Sequence, residues 1–294
     1  MSHGEAAVPV RHATVISSPL SLLREGVEDV LSRRRLIRYL TEAEMKKRGS
    51  DTLLGNIWWI LDPLLQMIVY VVFVAIIGRG LAHPDYPLFI FAAILPWKWF
   101  SAVVTDSTAS VVKQGALIRQ IAFPKIVLPM ATASAGVVGF VFGLVPLAVL
   151  LAFYPTRISV QLAWLPLIAG VQFVFTLGVA ILVSAANVFF RDLGNAVGHA
   201  LRLWWFLSPG LYSLSNVHGL LGPQHHTIAA LVSLNPFAVL FEAYRSVVYG
   251  TPDGGTPVPP DLVSLGFLLL GSLVFLALAT LFFKRVEPDF AKLI

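Results

Sequence analysis

The stretch KQGALIRQIAFPKIVLP (residues 113–129) decides how the chain is read. It carries Lys113, Arg119 and Lys125, with prolines at 124 and 129, and a long apolar run lies on either side of it. If the flanking runs cross a membrane, this basic segment is a connection on one face. It is then either a solvated turn or a contact surface for something outside the bilayer.

The flanking runs do read as membrane spans. Of the 294 residues, 57% are hydrophobic and only 13% charged, against about 25% charged in an average soluble domain. Mean hydropathy is +0.79. A water-soluble fold of this size could not cover so much apolar surface with so few charges, so the expected class is an all-α integral membrane protein.

A span needs roughly 20 apolar residues. Six candidates follow, at about 53–78, 88–110, 126–153, 162–187, 196–215 and 262–283. Before them, residues 1–20 read as disordered, and 21–50 as one amphipathic helix lying on the membrane surface, with Leu23, Val27, Val30 and Leu31 at helical spacing. Between the fifth and sixth spans lie two modest apolar stretches, 219–234 and 237–249, broken by Pro223, Asn235 and Pro236. Each is too short to span comfortably, which suits re-entrant helices packed against protein. The remaining pieces are a six-span unit over 51–285 and a tail over 286–294.

Six spans put both termini on one side. Seventeen of the 21 Lys and Arg residues fall on the side of the termini, including residues 113–125. The positive-inside rule therefore places the termini in the cytoplasm. The formal charge of +5 is in this light a topology signal, with anionic lipid rather than nucleic acid as its partner.

The sequence lacks the common catalytic signatures. No Walker A, HExxH, CxxC or GxSxG pattern occurs, and cysteine is absent. His225 and His226 are adjacent, but a solvated pair in an external segment explains them better than a metal does, so no metal site and no catalytic residue is assigned. A membrane-bound transferase would need acids or histidines gathered on one face. An ion-coupled secondary transporter would want an acid near the midplane, where neither Asp62 nor Asp106 falls, and a repeat of the two halves, which is not visible. Both remain the alternative readings.

Two further patterns stand out. Ala131, Ala135, Gly139 and Gly143 place a small residue at every fourth position of the third span, a ridge that admits another helix closely, from the same chain or from a second copy. Aromatics cluster at Trp97, Trp99, Phe100, Trp204, Trp205, Phe206 and Tyr212, with Trp58 and Trp59 at the start of the first span. They form either an interfacial belt or the lining of a passage, since aromatic faces pack on the C–H faces of sugars.

In order along the chain stand TLLGNIWWILDPLLQM, LPWKWFSAVV, IRQIAFPKIVLP, NVFFRDLGNAV, LSPGLYSLSNV and LNPFAVLFEAYRSVVYG. With this order and topology the chain, from about residue 51 to 285, resembles the membrane permeases of type-2 ABC exporters of polysaccharides such as O-antigen, teichoic acid and lipid-linked galactan. The resemblance implies a homodimeric, non-catalytic permease served by a separate cytosolic ATPase that binds ATP and Mg, with no cofactor on this chain. It implies that the segment holding Gln114, Leu117, Ile118, Arg119, Gln120, Phe123 and Lys125 is a coupling helix seated in the ATPase, ended by Pro124. It also implies a lipid-diphosphate-linked glycan as cargo. Arg33, Arg34, Arg35 and Arg38 are candidates to hold the diphosphate, and Trp97, Trp99, Trp204, Trp205, Phe206 and Tyr212 to line the glycan channel. The N-terminal link RYLTEAEMKKRGSDTLLG is longer and more acidic than is usual in the family, a form similar to mycobacterial-type galactan exporters, which makes galactan the leading substrate.

Overall fold

The computed structural model describes residues 18–50, 55–77, 85–212, 234–250 and 255–293. Among them the regular structure is entirely helical, as the composition requires, because a membrane-spanning segment must satisfy its backbone within itself. We number the helices α1 (Pro19–Ser32), α2 (Arg34–Ser50), α3 (Trp58–Ile77), α4 (Tyr86–Thr108), α5 (Ser110–Lys113), α6 (Gly115–Gln120), α7 (Val127–Phe153), α8 (Leu165–Phe189), α9 (Leu193–Leu207), α10 (Pro236–Val248), α11 (Leu262–Val286) and α12 (Phe290–Leu293).

Among the described residues, five helices are long and apolar enough to cross a membrane: α3, α4, α7, the run ending in α8, and α11. The expected fifth span is represented by α9, whose 15 residues make a rod of about 22 Å, shorter than the hydrocarbon core. Its carboxyl end leads through a turn at Ser208–Gly210 toward residues 213–233, which lie outside the described residues together with the first expected re-entrant stretch and the His225–His226 pair. The second re-entrant stretch is α10, a 13-residue helix capped by Asn235, whose side chain accepts from the N–H of Phe237, with Pro236 in its first turn. That start follows the rule that proline suits the first helical position, where its missing N–H costs nothing.

The core is built around α4. Leu88, Ile90, Phe91, Ile94, Phe100 and Val103 are each fully buried, because α7, α8, α3, α10 and α9 all pack against this helix. By contrast, α3 leaves Ile68, Val69, Val72, Phe73 and Ile76 exposed, a face that in a membrane meets lipid or another subunit. Close approach of α7 to α4 depends on glycine. A Cβ on Gly136 would collide with Val103, and one on Gly143 with Leu95. The small-residue ridge is thus used inside the chain: Gly143 faces α4, Gly139 faces the ring of Trp59 on α3, Ala131 and Ala135 are buried, and the carbonyl of Ala131 accepts from Thr41 Oγ1 at 3.3 Å.

The amphipathic segment 21–50 is two helices, not one. The break falls at Arg33 (φ −101°, ψ 20°), so α1 lies against α11 while α2 runs along α7. On α1, Val27 and Leu31 stay exposed, which leaves an apolar edge for the headgroup region.

At the end of the bundle away from α1, Arg157 gathers three loops. Its Nη2 donates to Asp85 at 2.6 Å and its Nη1 to the carbonyl of Tyr249 at 2.8 Å and to that of Gly255. Gly250 sits between, at φ +106°, where a side chain would be strained and a Cβ would strike the Gly255–Thr256 backbone.

Candidate functional site

Helices α3, α4, α7 and α9 line an open cavity of about 790 Å³, in the half of the bundle that also carries α1 and α6. Its walls are aromatic and its floor is charged. From α3 come Trp58, Trp59, Asp62 and Gln66; from α4, Lys98, Ser101, Thr105 and Asp106; from α9, Arg202 and Phe206. Asp62, Lys98, Asp106 and Arg202 thus come together within membrane-spanning or adjoining helices. Ionisable side chains there are costly and by default functional.

The charged pair at its centre is Lys98 with Asp62. Nζ donates to Oδ2 at 2.7 Å, and the two side chains remain 31% and 59% exposed to the cavity. Asp62 stands one turn into α3, just before Pro63, and Lys98 stands midway along α4. Sequence alone placed them on separate spans with no link. The helix pairing brings them together, each providing the other's countercharge in a medium where an unpaired charge is expensive.

The aromatic walls are of two kinds. Trp97, Trp99 and Trp205 are 5%, 5% and 3% exposed and reach the cavity only at an edge. Trp97 is locked edge-on against Phe237 at 4.7 Å and tilted against Trp205 at 5.5 Å, and Trp99 lies 4.6 Å from Phe140. They are first of all core. The indole N–H groups of Trp99 and Trp205 are nonetheless buried without a hydrogen-bond partner among the described residues. Trp204 turns away toward α10, its Nε1 donating to Asn235 Oδ1 at 3.0 Å. Phe206 is 60% exposed and lines the cavity.

Tyr212 lies beyond the end of α9 and does not line the cavity. Its carbonyl accepts from Arg245 Nη1 at 3.1 Å. Arg245, buried on α10, also donates to the carbonyls of Pro209 and Gly210 and stacks 3.8 Å above the ring of Phe89. It ties the turn after α9 to the core and carried no signal in the sequence beyond being a cation in an apolar run. Two cavity-lining aromatics that sequence reasoning noted but did not select are Trp58, 44% exposed, and the half-buried Trp59, set edge-on to Phe142 at 5.4 Å.

The connection that opened the reading holds α6. It is a six-residue helix that ends at Gln120, earlier than Pro124 would require. The chain then runs extended from Ile121 through Phe123, as a residue before proline favours, and turns into α7 at Lys125–Ile126. Ile118 anchors α6 in the core, while Arg119, Gln120 and Ile121 point outward and Gln114, Leu117, Phe123 and Lys125 are half-buried. The helix thus presents a small, basic, partly apolar surface at one end of the bundle.

Arg33, Arg34, Arg35 and Arg38 are all exposed at the α1–α2 junction, outside the cavity. Arg38 Nε donates to Glu42 Oε1 at 3.1 Å, an exposed pair of small energetic weight. The second connection, between α8 and α9, is a tight turn at Arg191–Asp192. Phe190 is exposed there, and Phe189 packs edge-on to Phe290 at 6.2 Å.

Comparison with known proteins agrees with this architecture. Residues 35–249 match the family model described as ABC-2 type transporter. Over 266 residues the chain is 30% identical to the O-antigen export system permease protein RfbA of Myxococcus xanthus, covering 90% of this chain and 98% of that one. A protein of the same name from Klebsiella pneumoniae is 28% identical over 213 residues, 72% of this chain and 79% of that one. The matched region runs from α2 to the end of α10 and so contains the cavity, α6 and the Arg245 tie; the chain belongs to the ABC-2 type transporter family, as a non-catalytic membrane permease whose ATPase is a separate partner.

Proposed function

We propose that this chain is the permease of an ATP-driven exporter that carries a lipid-linked polysaccharide from the cytoplasm to the outer face of a bacterial inner membrane. The observation that carries the reading is its match to an O-antigen export permease over 98% of that protein's length. The cavity supports it: open aromatic faces at Trp58 and Phe206 beside polar Asp62, Gln66 and Lys98 suit sugars, which need both stacking surfaces and hydrogen-bonding groups. The glycan favoured by the N-terminal link is a galactan.

In this reading two copies pair, the exposed face of α3 contributing to the contact, and both termini lie in the cytoplasm. A cytosolic ATPase binds α6, and the four arginines at the α1–α2 junction attract the lipid diphosphate, as cations favour phosphate. ATP-driven closure of the ATPase shifts the bundle between states that bind the cargo differently, which is what such a change requires.

The test is depletion of the chain in its native cell with both leaflets assayed. Loss of surface polysaccharide with accumulation of its lipid-linked precursor inside supports the reading. Unchanged surface polysaccharide and no precursor overturn it.

A further inference from the structure

Lys284, in the last turn of α11, is buried to 7% exposure. Its ammonium lies 2.7 Å from Glu25 Oε1, 2.8 Å from Asp29 Oδ2 and 2.7 Å from Glu287 Oε2. A lysine has three donors, and here each meets a carboxylate. Glu25 and Asp29 belong to α1, whereas Glu287 follows α11. The second oxygen of Glu287, Oε1, accepts the backbone N–H of Lys125 at 2.5 Å, in the turn that leads out of the α6 segment. A continuous line of charge-assisted hydrogen bonds therefore joins α1, the foot of α11 and the exit of α6.

Two further features make this line stiff. Gly26 on α1 packs so closely on α11 that a Cβ there would lie 2.8 Å from Thr280 Cγ2, one turn from Lys284. On the other side, α6 has six residues, too few to hold an orientation by its own hydrogen bonds, and α12 lies against it. Its placement comes from its flanks.

We propose that Lys284 and Glu287 form a strut that makes α1, the foot of α11 and α6 one rigid body. Lys284 and Glu287 are positioning residues: neither faces the cavity. A push on α6 thereby reaches α11 and α1 by two routes, through α12, which lies against α6, and through Lys125 at the α7 end of the 121–126 loop. The consequence for export rests on the reading of α6 as the ATPase contact; the strut itself does not.

Because the chain has no cysteine, Ala116→Cys on α6 and Leu31→Cys on α1 can be spin-labelled alone, and their separation measured in the purified full chain in lipid nanodiscs. With labelled chains diluted in unlabelled ones, so that a second copy adds no distance, the parent should give one narrow distance. Lys284→Met should lose it, giving a broad or split distribution. Should that variant fail to fold, Glu25→Gln with Asp29→Asn changes two partly exposed acids, leaves the Lys284–Glu287 pair intact, and should also lose the narrow distance. Retention of the parent's single distance in the double variant overturns the strut. Export per ATP hydrolysed, measured on the same variants with the partner ATPase, should fall by about tenfold. Broadened distances with an unchanged ratio would keep the strut and instead remove the assignment of α6 as the ATPase contact.

Discussion

Lys98 Nζ lies 2.7 Å from Asp62 Oδ2, across the cavity between α3 and α4. Each is the other's countercharge at membrane depth. Asp62→Asn leaves the ammonium without one, and Lys98→Met does the same to the carboxylate. After discounting for their exposure, each single change should cost about 1 kcal/mol of stability, and the double variant less than the sum. A double-mutant cycle of thermal unfolding in detergent checks this, and strict additivity would show that the pair is not coupled.

The two kinds of aromatic separate by truncation. Trp97→Ala opens a hole in the core and should destabilise the protein by about 3–5 kcal/mol. Trp58→Ala removes an open face and should leave the melting temperature within a degree or two while lowering export. Equal destabilisation by both would mean that Trp58 is core as well.

On α6, Arg119 is exposed. Arg119→Glu should change stability by about 0.5 kcal/mol or less yet weaken retention of the ATPase in pull-down. An intact complex with full substrate-stimulated hydrolysis would separate α6 from ATPase binding.

Gly136→Ala forces a methyl group into Val103. Overpacking of this kind costs about 1–3 kcal/mol, whereas Gly170→Ala, with nothing near its added carbon, should be neutral or slightly stabilising. Melting curves of the two variants, side by side, distinguish close packing from general helix propensity.

Asp261 caps α11, accepting from the N–H of Val263 at 3.0 Å and from Ser264 Oγ at 2.6 Å. These bonds favour the carboxylate and hold its pKa below the ordinary aspartate value. A depressed folded-state value means the cap's contribution is complete above the unfolded pKa and is lost as pH falls through the folded one. Asp261→Ala should therefore destabilise by about 1 kcal/mol at neutral pH, with the gap to the parent closing only in strongly acidic solution. A gap that closes already near neutrality would assign the effect to another group.

The helical membrane fold and most of its element boundaries were legible along the chain. The expected span at 126–153 is α7, Val127–Phe153, and that at 262–283 is the bulk of α11, Leu262–Val286, because hydrophobic length is a local property that each segment carries by itself. Within the expected span at 196–215 the described helix is the 15-residue α9, which Ser208, Pro209 and Gly210 end before the apolar run does. The single amphipathic helix over 21–50 proved to be two, since α1 and α2 answer to different partners, α11 and α7, and no periodicity records a partner.

The site divides along the same line. The basic charge of 113–125, the apolar anchor at Ile118 and the aromatic richness of the chain are written in residue type, so the sequence by itself determined the class of protein, its spans and the existence of a short connection with contact potential. Which tryptophans are core and which face the cavity, that Lys98 answers Asp62, that the ridge of small residues is spent on α4 and α3, and that Lys284 reaches Glu25, Asp29 and Glu287 were decided only by tertiary structure. Composition sets the transfer energy of a segment into the membrane one residue at a time, whereas pairing and burial depend on which helices become neighbours, and Lys98 and Asp62 are 36 positions apart with nothing local to join them.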